Sequence, residues 1–251
     1  VGEVIVLDKI ELNREDSPEV SLEKIGDNLL EIASQYKEQY GNMWGVGVAV
    51  SGVVNGSRGI CVESHRLNWT NVPVREILES RFSCPIYVAN NIRCMALAEK
   101  WFGAARNVEN FICIRVGKGV GAAIVTKNQL FEGERGAAGE IDHIIVDPNG
   151  PKCYCGNRGC LHGYVSEDVI VKRTKKLIEM DCSDNEVLSS QIKGYVQELN
   201  LAVLAQIAQN GDSLAESIIK NLSYYLGLAV ANLVRGFNPA LVILLNRSEE
   251  R

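Results

Sequence analysis

Three cysteines fall within eight positions of the segment GPKCYCGNRGCLHGY, residues 150–164, and they restrict what this part of the chain can form. Cys153 and Cys155 are too close in sequence to join in an unstrained disulfide. His143 lies ten residues before Cys153. The segment and this histidine therefore supply one imidazole and three thiolates, those of Cys153, Cys155 and Cys160. This is a complete tetrahedral ligand set for a structural zinc ion, with no position left for a reactive water. The spacing predicts a zinc-binding loop; a loop of reduced thiols beside an unrelated histidine is the alternative.

The composition indicates an ordered globular protein rather than a membrane or nucleic-acid-binding segment. The chain has 251 residues, 46% of them hydrophobic, and a net charge of −5 with its 26 basic residues spread thinly. The longest apolar runs, such as 240–245, are far shorter than a bilayer-spanning helix, and the N-terminus has no signal pattern. We therefore expect a cytoplasmic protein, in which the remaining cysteines are buried apolar residues. They are Cys61, Cys84, Cys94, Cys113 and Cys182.

Strand-like and helix-like patterns alternate along the whole chain, which is typical of an α/β fold. The predicted strands are 1–12, 44–52, 85–90, 110–117, 120–126 and 240–245, and the predicted helices are 22–36, 74–82, 93–105 and a long helix that ends near Gly236. In the long helix Ser213 and Glu216 form a predicted capping box. Its apolar stripe consists of Leu214, Ile218, Leu222, Leu226, Ala229 and Leu233.

Several segments together resemble the ROK family of repressors and sugar kinases. CYCGNRGCLH is similar to that family's Cys-x-Cys-Gly-x-x-Gly-Cys-x-Glu signature, and GEIDH, residues 139–143, resembles its Glu-x-Gly-His motif. GVAVSGVV, PIYVANNIRCMALAEKWFGAA and VGKGVGAAIV continue the resemblance upstream in family order. The resemblance implies an actin-like ATPase fold, related to ribonuclease H, with two α/β lobes around a sugar cleft. We expect an N-terminal lobe over 1–106 and a C-terminal lobe over 107–251 that carries the zinc loop, 143–160.

The resemblance also implies sugar-binding residues. In this family the zinc-bound histidine contacts a sugar hydroxyl, which would give His143 a second role. Glu140 would accept hydrogen bonds from neighbouring hydroxyls, and Asn90 would offer both a donor and an acceptor. Asn68, beside Trp69, is a further candidate.

The departures from the family pattern bear on catalysis. The family's kinases carry a general-base aspartate where this chain has Asn91, and an amide cannot accept a proton from a sugar hydroxyl. His162 replaces the sugar-contacting glutamate of the signature, and it is a candidate for a sugar contact or an additional metal ligand. Asp142 stands where the family has glycine, which would strain a turn or add an acidic contact.

The ATP-binding parts of the family pattern are also incomplete. The Asp-x-Gly-x-Thr phosphate loop of the first strand is not found in this chain, which is either a fragment of a longer protein or diverged there. Gly117, Gly119 and Gly121 offer backbone N–H groups for phosphate. A tight hairpin turn is the favoured interpretation of these three glycines, and ATP is not an expected cofactor.

These features predict the sugar-sensing part of a ROK-type transcriptional repressor of the xylose or N-acetylglucosamine class. Its expected partners are a monosaccharide effector and operator DNA, the latter only through an N-terminal helix-turn-helix domain that these 251 residues do not include. The family implies a homodimer or homotetramer, and no membrane partner is expected. An ATP-dependent sugar kinase is the first alternative, and a zinc-stabilised interaction module without a small-molecule ligand is the second.

Overall fold

The computed structural model describes residues 3–13, 15–181, 192 and 194–246. Cys182, predicted to be a buried apolar residue, lies outside the described residues. Cys61 and Cys113 are buried as expected, whereas Cys84 and Cys94 are only partly buried. Within the described part of the chain, no helix is both long enough and apolar enough to span a membrane.

The chain divides into two compact units. The first consists of Val1–Asn107 and Leu130–Ala138, and the second of Val108–Gln129 and Gly139–Arg251. The sequence suggested one boundary near residue 106. In the structure an excursion of nine residues, Leu130–Ala138, leaves the second unit and packs with the first.

The first unit contains two small sheets and three helices among its described residues. Its elements are α1 Pro18–Tyr40, β1 Val46–Val50, β2 Val53–Asn55, β3 Ile60–Ser64, β4 Trp69–Val72, α2 Val74–Glu79, β5 Ile86–Asn90 and α3 Asn91–Trp101. Strands β1 and β5 pair in parallel, and β2, β3 and β4 form an antiparallel meander. Helix α1 begins after Ser17, whose hydroxyl accepts a hydrogen bond from the Val20 N–H, and ends at Gly41 with φ of 79°.

The core of the first unit forms where α1 and α2 cover the strands. It includes Leu22, Val50, Val54, Cys61, Trp69, Val72, Val74, Leu78, Ile86 and Val88. Burying apolar side chains of this size contributes about 1.5–3 kcal/mol each. The β5–α3 junction, which carries Asn90 and Asn91, is therefore anchored on a packed strand.

One buried arginine holds the excursion Leu130–Ala138 against the first unit. Arg93 on α3 is 5% exposed, and its guanidinium donates to the carbonyl oxygen of Gly136 at 2.7 Å. The same group lies 3.4 Å and 3.5 Å from the carbonyl oxygens of Glu132 and Ala138. Arg93 Nη1 is also 3.7 Å from Glu132 Oε1. One planar guanidinium thus contacts the carbonyl oxygens of three residues in this segment.

The second unit is built on a four-stranded sheet in the order β8-β7-β6-β9. Its elements are β6 Phe111–Val116, β7 Val120–Thr126, β8 Gln129–Leu130, a 3-10 helix Ile141–His143, α4 His162–Val165, α5 Glu167–Asp181, α6 Leu201–Gln209, α7 Ser213–Phe237 and β9 Leu241–Asn246. The predicted β6–β7 hairpin is present, and β9 pairs in parallel with β6, with Leu241 opposite Phe111. Residues from β6, β7, α4 and α7 share one core, which supports the cysteine-rich segment that precedes α4.

Helix α7 follows the predicted stripe, but its start differs from the prediction. Its stripe residues pack into two neighbouring cores of the second unit. The predicted capping box at Ser213 is wrong, because Asp212 one residue earlier is the N-cap and accepts a hydrogen bond from the Ala215 N–H at 2.9 Å. Glu216 instead pairs with Lys220 at 2.7 Å. A carboxylate accepts from a helix N-terminus at least as well as a hydroxyl, so the local sequence permitted either start.

The predicted strand over residues 1–12 is also wrong. The described residues 3–13 belong to no helix or strand, and Val4 and Leu7 are 80% and 73% exposed. An alternating pattern produces a strand only when a neighbouring backbone satisfies its N–H and C=O groups. No described strand pairs with this segment.

Candidate metal centre

The cysteine-rich segment folds back on itself through two short antiparallel contacts. Ile145 pairs with Cys160, and Lys152 pairs with Arg158. Gly159, with φ of 66°, permits this approach, because a Cβ atom there would lie 1.5 Å from the Asp147 carbonyl oxygen. Glycine alone fits here, because it adopts a left-handed backbone without strain and has no Cβ atom to clash with Asp147. The loop is therefore shaped by its backbone before any side chain is considered.

The four predicted metal ligands meet in the structure. The ligand atoms of His143, Cys153, Cys155 and Cys160 all lie within 4.8 Å of one another. Cys155 Sγ is 3.6 Å from Cys160 Sγ, and Cys153 Sγ is 3.6 Å from His143 Nδ1. Separations of this size are the edges of a tetrahedron around one ion, since four sulfur ligands at about 2.3 Å lie about 3.8 Å apart. The cluster could hold a metal ion.

Two of the thiols differ in their readiness to ionise. Burial raises the pKa of Cys160 to about 12, and the adjacent Cys155 sulfur adds to the effect. The Asn157 backbone N–H lowers the pKa of Cys155, which is exposed. Because metal ligands must be deprotonated, an ion that enters the cluster displaces protons.

A carboxylate lies on the other side of the His143 ring. His143 Nε2 is 3.6 Å from Asp142 Oδ2, and the same oxygen accepts a hydrogen bond from the Tyr154 hydroxyl at 3.3 Å. Asp142 is 7% exposed, and its Oδ1 has no hydrogen-bond partner among the described residues. Of the two effects expected from an aspartate at this position, the strained turn is absent, because Asp142 lies in a 3-10 helix and has no positive φ. The acidic contact is present, since the Asp142 carboxylate lies beside His143.

Tyr154, which the sequence analysis did not single out, lies between two histidines. Its ring centroid is 4.9 Å from that of His143 and 4.9 Å from that of His162, both in edge-on contacts. Burial is the largest cause that raises the pKa of Tyr154, followed by the charge of Asp142; Glu140 makes a smaller contribution. The available signal was its position between two of the predicted ligand cysteines, which places its backbone in the cysteine-rich loop.

His162 is not part of the four-ligand cluster. Its Nδ1 lies 2.8 Å from the Ser166 hydroxyl, within α4 and the following turn. Burial lowers its pKa, so the neutral ring is favoured. Glu140 is partly buried and directly precedes the 3-10 helix that carries His143.

The candidates in the first unit have structural roles of their own. Asn90 is buried and caps α3: its Oδ1 accepts from the N–H groups of Ile92 and Arg93, and its Nδ2 donates to Gly52 at 2.7 Å. Asn91 is the first residue of α3. Asn68 is exposed in the β3–β4 turn with φ of 56°, a conformation that asparagine tolerates.

The glycine-bearing segment forms the turn of the β6–β7 hairpin. The Gly117 N–H donates to the Gly119 carbonyl at 3.0 Å, and Gly121 lies within β7 opposite Arg115. The Gly117 carbonyl accepts from the N–H of Glu167 at 2.9 Å, which connects the turn to the start of α5. These contacts agree with the hairpin interpretation of the three glycines.

Comparison with known proteins identifies the family. The family model described as "ROK family" matches residues 3–247. The chain belongs to the ROK family. It is 32% identical to the xylose repressor of Caldicellulosiruptor bescii over 248 residues, which is 99% of this chain and 61% of the repressor. This ROK chain thus spans about three fifths of the length of that relative.

Solved structures of both functional branches resemble this ROK chain. A ROK transcriptional regulator described as a homologue of the Escherichia coli MLC protein matches with a TM-score of 0.77 and 30% identity, over 89% of this chain and 55% of the regulator. A ROK glucokinase from Streptomyces griseus, solved with glucose and AMPPNP, matches with a TM-score of 0.73 and 28% identity, over 89% of this chain and 72% of the kinase. The fold is the actin-like ATPase fold of ROK proteins.

Proposed function

We propose that this chain is the sugar-sensing effector part of a ROK-family transcriptional regulator and that it does not transfer phosphate to a sugar. The similarity to a repressor across almost the whole chain supports a regulator. The observation that carries the proposal is Asn91, at the position of the kinase general base. General-base catalysis contributes about 10²- to 10⁴-fold to rate, so an amide there removes the chemistry while leaving binding possible.

The metal in this proposal is a structural zinc ion. Three cysteines and one histidine are the donors that zinc prefers, and their 3.6 Å separations suit its bond lengths. Four protein ligands close the coordination shell, so the ion would hold the loop in shape and would activate no water. The chain's own residues would then perform recognition from a rigid support.

The proposed sugar contacts differ between the two units. In the second unit Glu140 would accept from sugar hydroxyls, while His143 and His162 line the same polar neighbourhood around Tyr154. In the first unit the Asn90 side chain is largely used as a helix cap, which leaves one Nδ2 hydrogen for a ligand. Asn68, at an exposed turn, is the weakest of these candidates.

The whole protein would act through a population shift. Sugar binding would favour one arrangement of the regulator, and a helix-turn-helix domain outside these residues would bind operator DNA accordingly. A homodimer or homotetramer would carry the change between subunits. The ligand must bind one arrangement more tightly than the other, since equal affinity shifts nothing.

A thermal-shift measurement on the zinc-loaded protein tests this function. The panel includes xylose, N-acetylglucosamine and glucose, each with and without ATP, and metal content is determined on the same sample. Stabilisation by one sugar regardless of ATP supports a sensor, because a ligand that binds only the native state raises its apparent stability. Glu140→Gln, which keeps the side-chain shape, should reduce that stabilisation. Loss of stability on chelation without any response to sugar would instead favour an interaction module.

The similarity to a glucokinase keeps a second function open to test. Stabilisation that requires ATP, together with sugar-dependent ADP release, would overturn the sensor proposal in favour of a kinase. Asn91→Asp restores a carboxylate at the base position. A gain of activity in that variant alone would indicate a kinase ancestor that has lost its base.

A further inference from the structure

The two nitrogens of His143 face different chemical groups. Nδ1 is 3.6 Å from Cys153 Sγ, on the side of the sulfur cluster. Nε2 is 3.6 Å from Asp142 Oδ2, on the opposite side of the ring. The imidazole therefore lies between three thiols and one carboxylate. A ring in this position would hold a metal through Nδ1 and would direct Nε2 toward the carboxylate.

Asp142 is a carboxylate that lacks sufficient hydrogen-bond donors. It is 7% exposed. Its Oδ2 accepts a hydrogen bond from the Tyr154 hydroxyl at 3.3 Å, and its Oδ1 has no donor among the described residues. A buried carboxylate is costly unless donors surround it. When Nδ1 of a neutral imidazole binds a metal, the ring proton must be on Nε2, which makes that nitrogen a donor. A metal-bound His143 therefore offers Asp142 the donor that this carboxylate lacks, and the same Nε2–H is the ring atom that would also be shared with a sugar hydroxyl.

Tyr154 holds the carboxylate in place. Its ring packs edge-on against His143 with centroids 4.9 Å apart, and its hydroxyl reaches Asp142. Two of the predicted ligands, Cys153 and Cys155, flank this half-exposed tyrosine in the chain. The cysteine-rich loop and the 3-10 helix are therefore also connected by the hydrogen bond from Tyr154 to Asp142, which involves none of the four predicted metal ligands.

We propose that Asp142, oriented by Tyr154, is a positioning residue that holds His143 in the Nε2–H form with Nδ1 directed at the thiolates. The inference rests on the metal centre of the proposed function. Carboxylates that accept from a metal-binding histidine fix its tautomer and raise its basicity. Because glycine occupies this position in the resembling motif, the arrangement belongs to this chain's own sequence and not to the shared ligand set.

Metal affinity and histidine NMR on the whole protein test the proposal. Zn²⁺ affinity is measured by competition with a chelator, and the ring nitrogens of His143 are assigned in ¹⁵N-labelled zinc-bound protein. The variants are Asp142→Asn, which removes the charge at constant shape, and Asp142→Gly, the residue of the family motif. Asp147→Asn is the matched control, because Asp147 also accepts from a tyrosine hydroxyl, that of Tyr164 at 2.7 Å, but is not in the ligand cluster.

In the wild-type protein we expect zinc on Nδ1 and a downfield, hydrogen-bonded Nε2–H signal. Both Asp142 variants should weaken zinc binding by about 10- to 100-fold and move that signal upfield, whereas the control keeps both within about twofold. Unchanged affinity and an unchanged signal in the Asp142 variants, or zinc bound through Nε2, would overturn the inference while leaving the metal centre in place. A wild-type protein that takes up no zinc would instead refute the metal centre itself.

Discussion

At the scale of single residues, Cys61 shows how burial alone sets a pH limit on stability. Cys61 lies in β3 with no exposed surface, and burial raises its pKa to about 11. An unfolded cysteine ionises near pH 8.5, whereas the buried thiol stays protonated to a higher pH. Below about pH 8.5 the thiol is protonated in both states, and the stability of the folded state carries no penalty from its ionisation. Stability is lost as the pH rises from the unfolded toward the folded pKa.

We therefore predict that Cys61→Ala flattens the alkaline loss of stability. Between about pH 8 and about pH 10.5 the wild-type protein should lose about 2 kcal/mol more unfolding free energy than the variant. Urea unfolding at both pH values measures this difference, and groups that titrate in both proteins cancel. Equal losses in the two proteins would show that the Cys61 thiol ionises as freely when folded as when unfolded.

Two glycines of the cysteine-rich loop allow the energetic cost of a positive φ to be distinguished from the cost of a steric clash. Gly156 and Gly159 both have a positive φ, of 94° and 66°, but only Gly159 would place a Cβ atom against backbone, 1.5 Å from the Asp147 oxygen. We predict that Gly156→Ala costs about 1–2 kcal/mol from conformation alone. Gly159→Ala should cost more than about 4 kcal/mol and abolish metal retention. Chemical unfolding and metal analysis of both variants check this, and equal costs would mean that the loop relaxes around the new side chain.

At the scale of elements, one buried side chain, Arg93, contacts the excursion Leu130–Ala138 at several points. Arg93 binds three of its carbonyl oxygens, and lysine cannot reproduce that planar fork. Arg93→Lys should release the segment, so that trypsin cleaves after the exposed Arg135 at least about tenfold faster. Arg58→Lys, at an exposed arginine, is the matched control. Cleavage at the wild-type rate in the Arg93 variant would show that other contacts hold the excursion.

The elements also show what sequence reasoning can reach. Helix α7 and the clustering of the four predicted metal ligands were predictable because their signals, a helical period and a donor spacing, are local in the chain. The segment 1–12 was not, because strand formation depends on a distant partner that no pattern specifies. The contact between Asp142 and His143 was predictable only in part. The sequence shows an aspartate where the family motif has glycine, but its distance from an imidazole nitrogen required coordinates.

At the scale of the whole molecule, the two units have separate sources of stability. The first unit has its own core around Leu22, Val54 and Leu78, and the His/Cys cluster that could hold a metal ion lies in the second unit. A structural metal stabilises the state that binds it, through the loop that its ligands close. Removal of a metal ion bound at this cluster should therefore act on the second unit first.

We predict that chelation changes hydrogen exchange unevenly along the chain. Amides that join the two sides of the cysteine-rich loop, such as Val146 N–H to Gly159 and Leu161 N–H to Ile144, should lose protection by about tenfold or more, while β5 amides keep theirs. Cys155→Ser, which removes one ligand, should show the same pattern without chelator and respond little when chelator is added. Because each unit has a core of its own, partial opening of one is compatible with protection in the other. Equal loss of protection in both units would mean that they unfold cooperatively and that the metal stabilises the chain as one body.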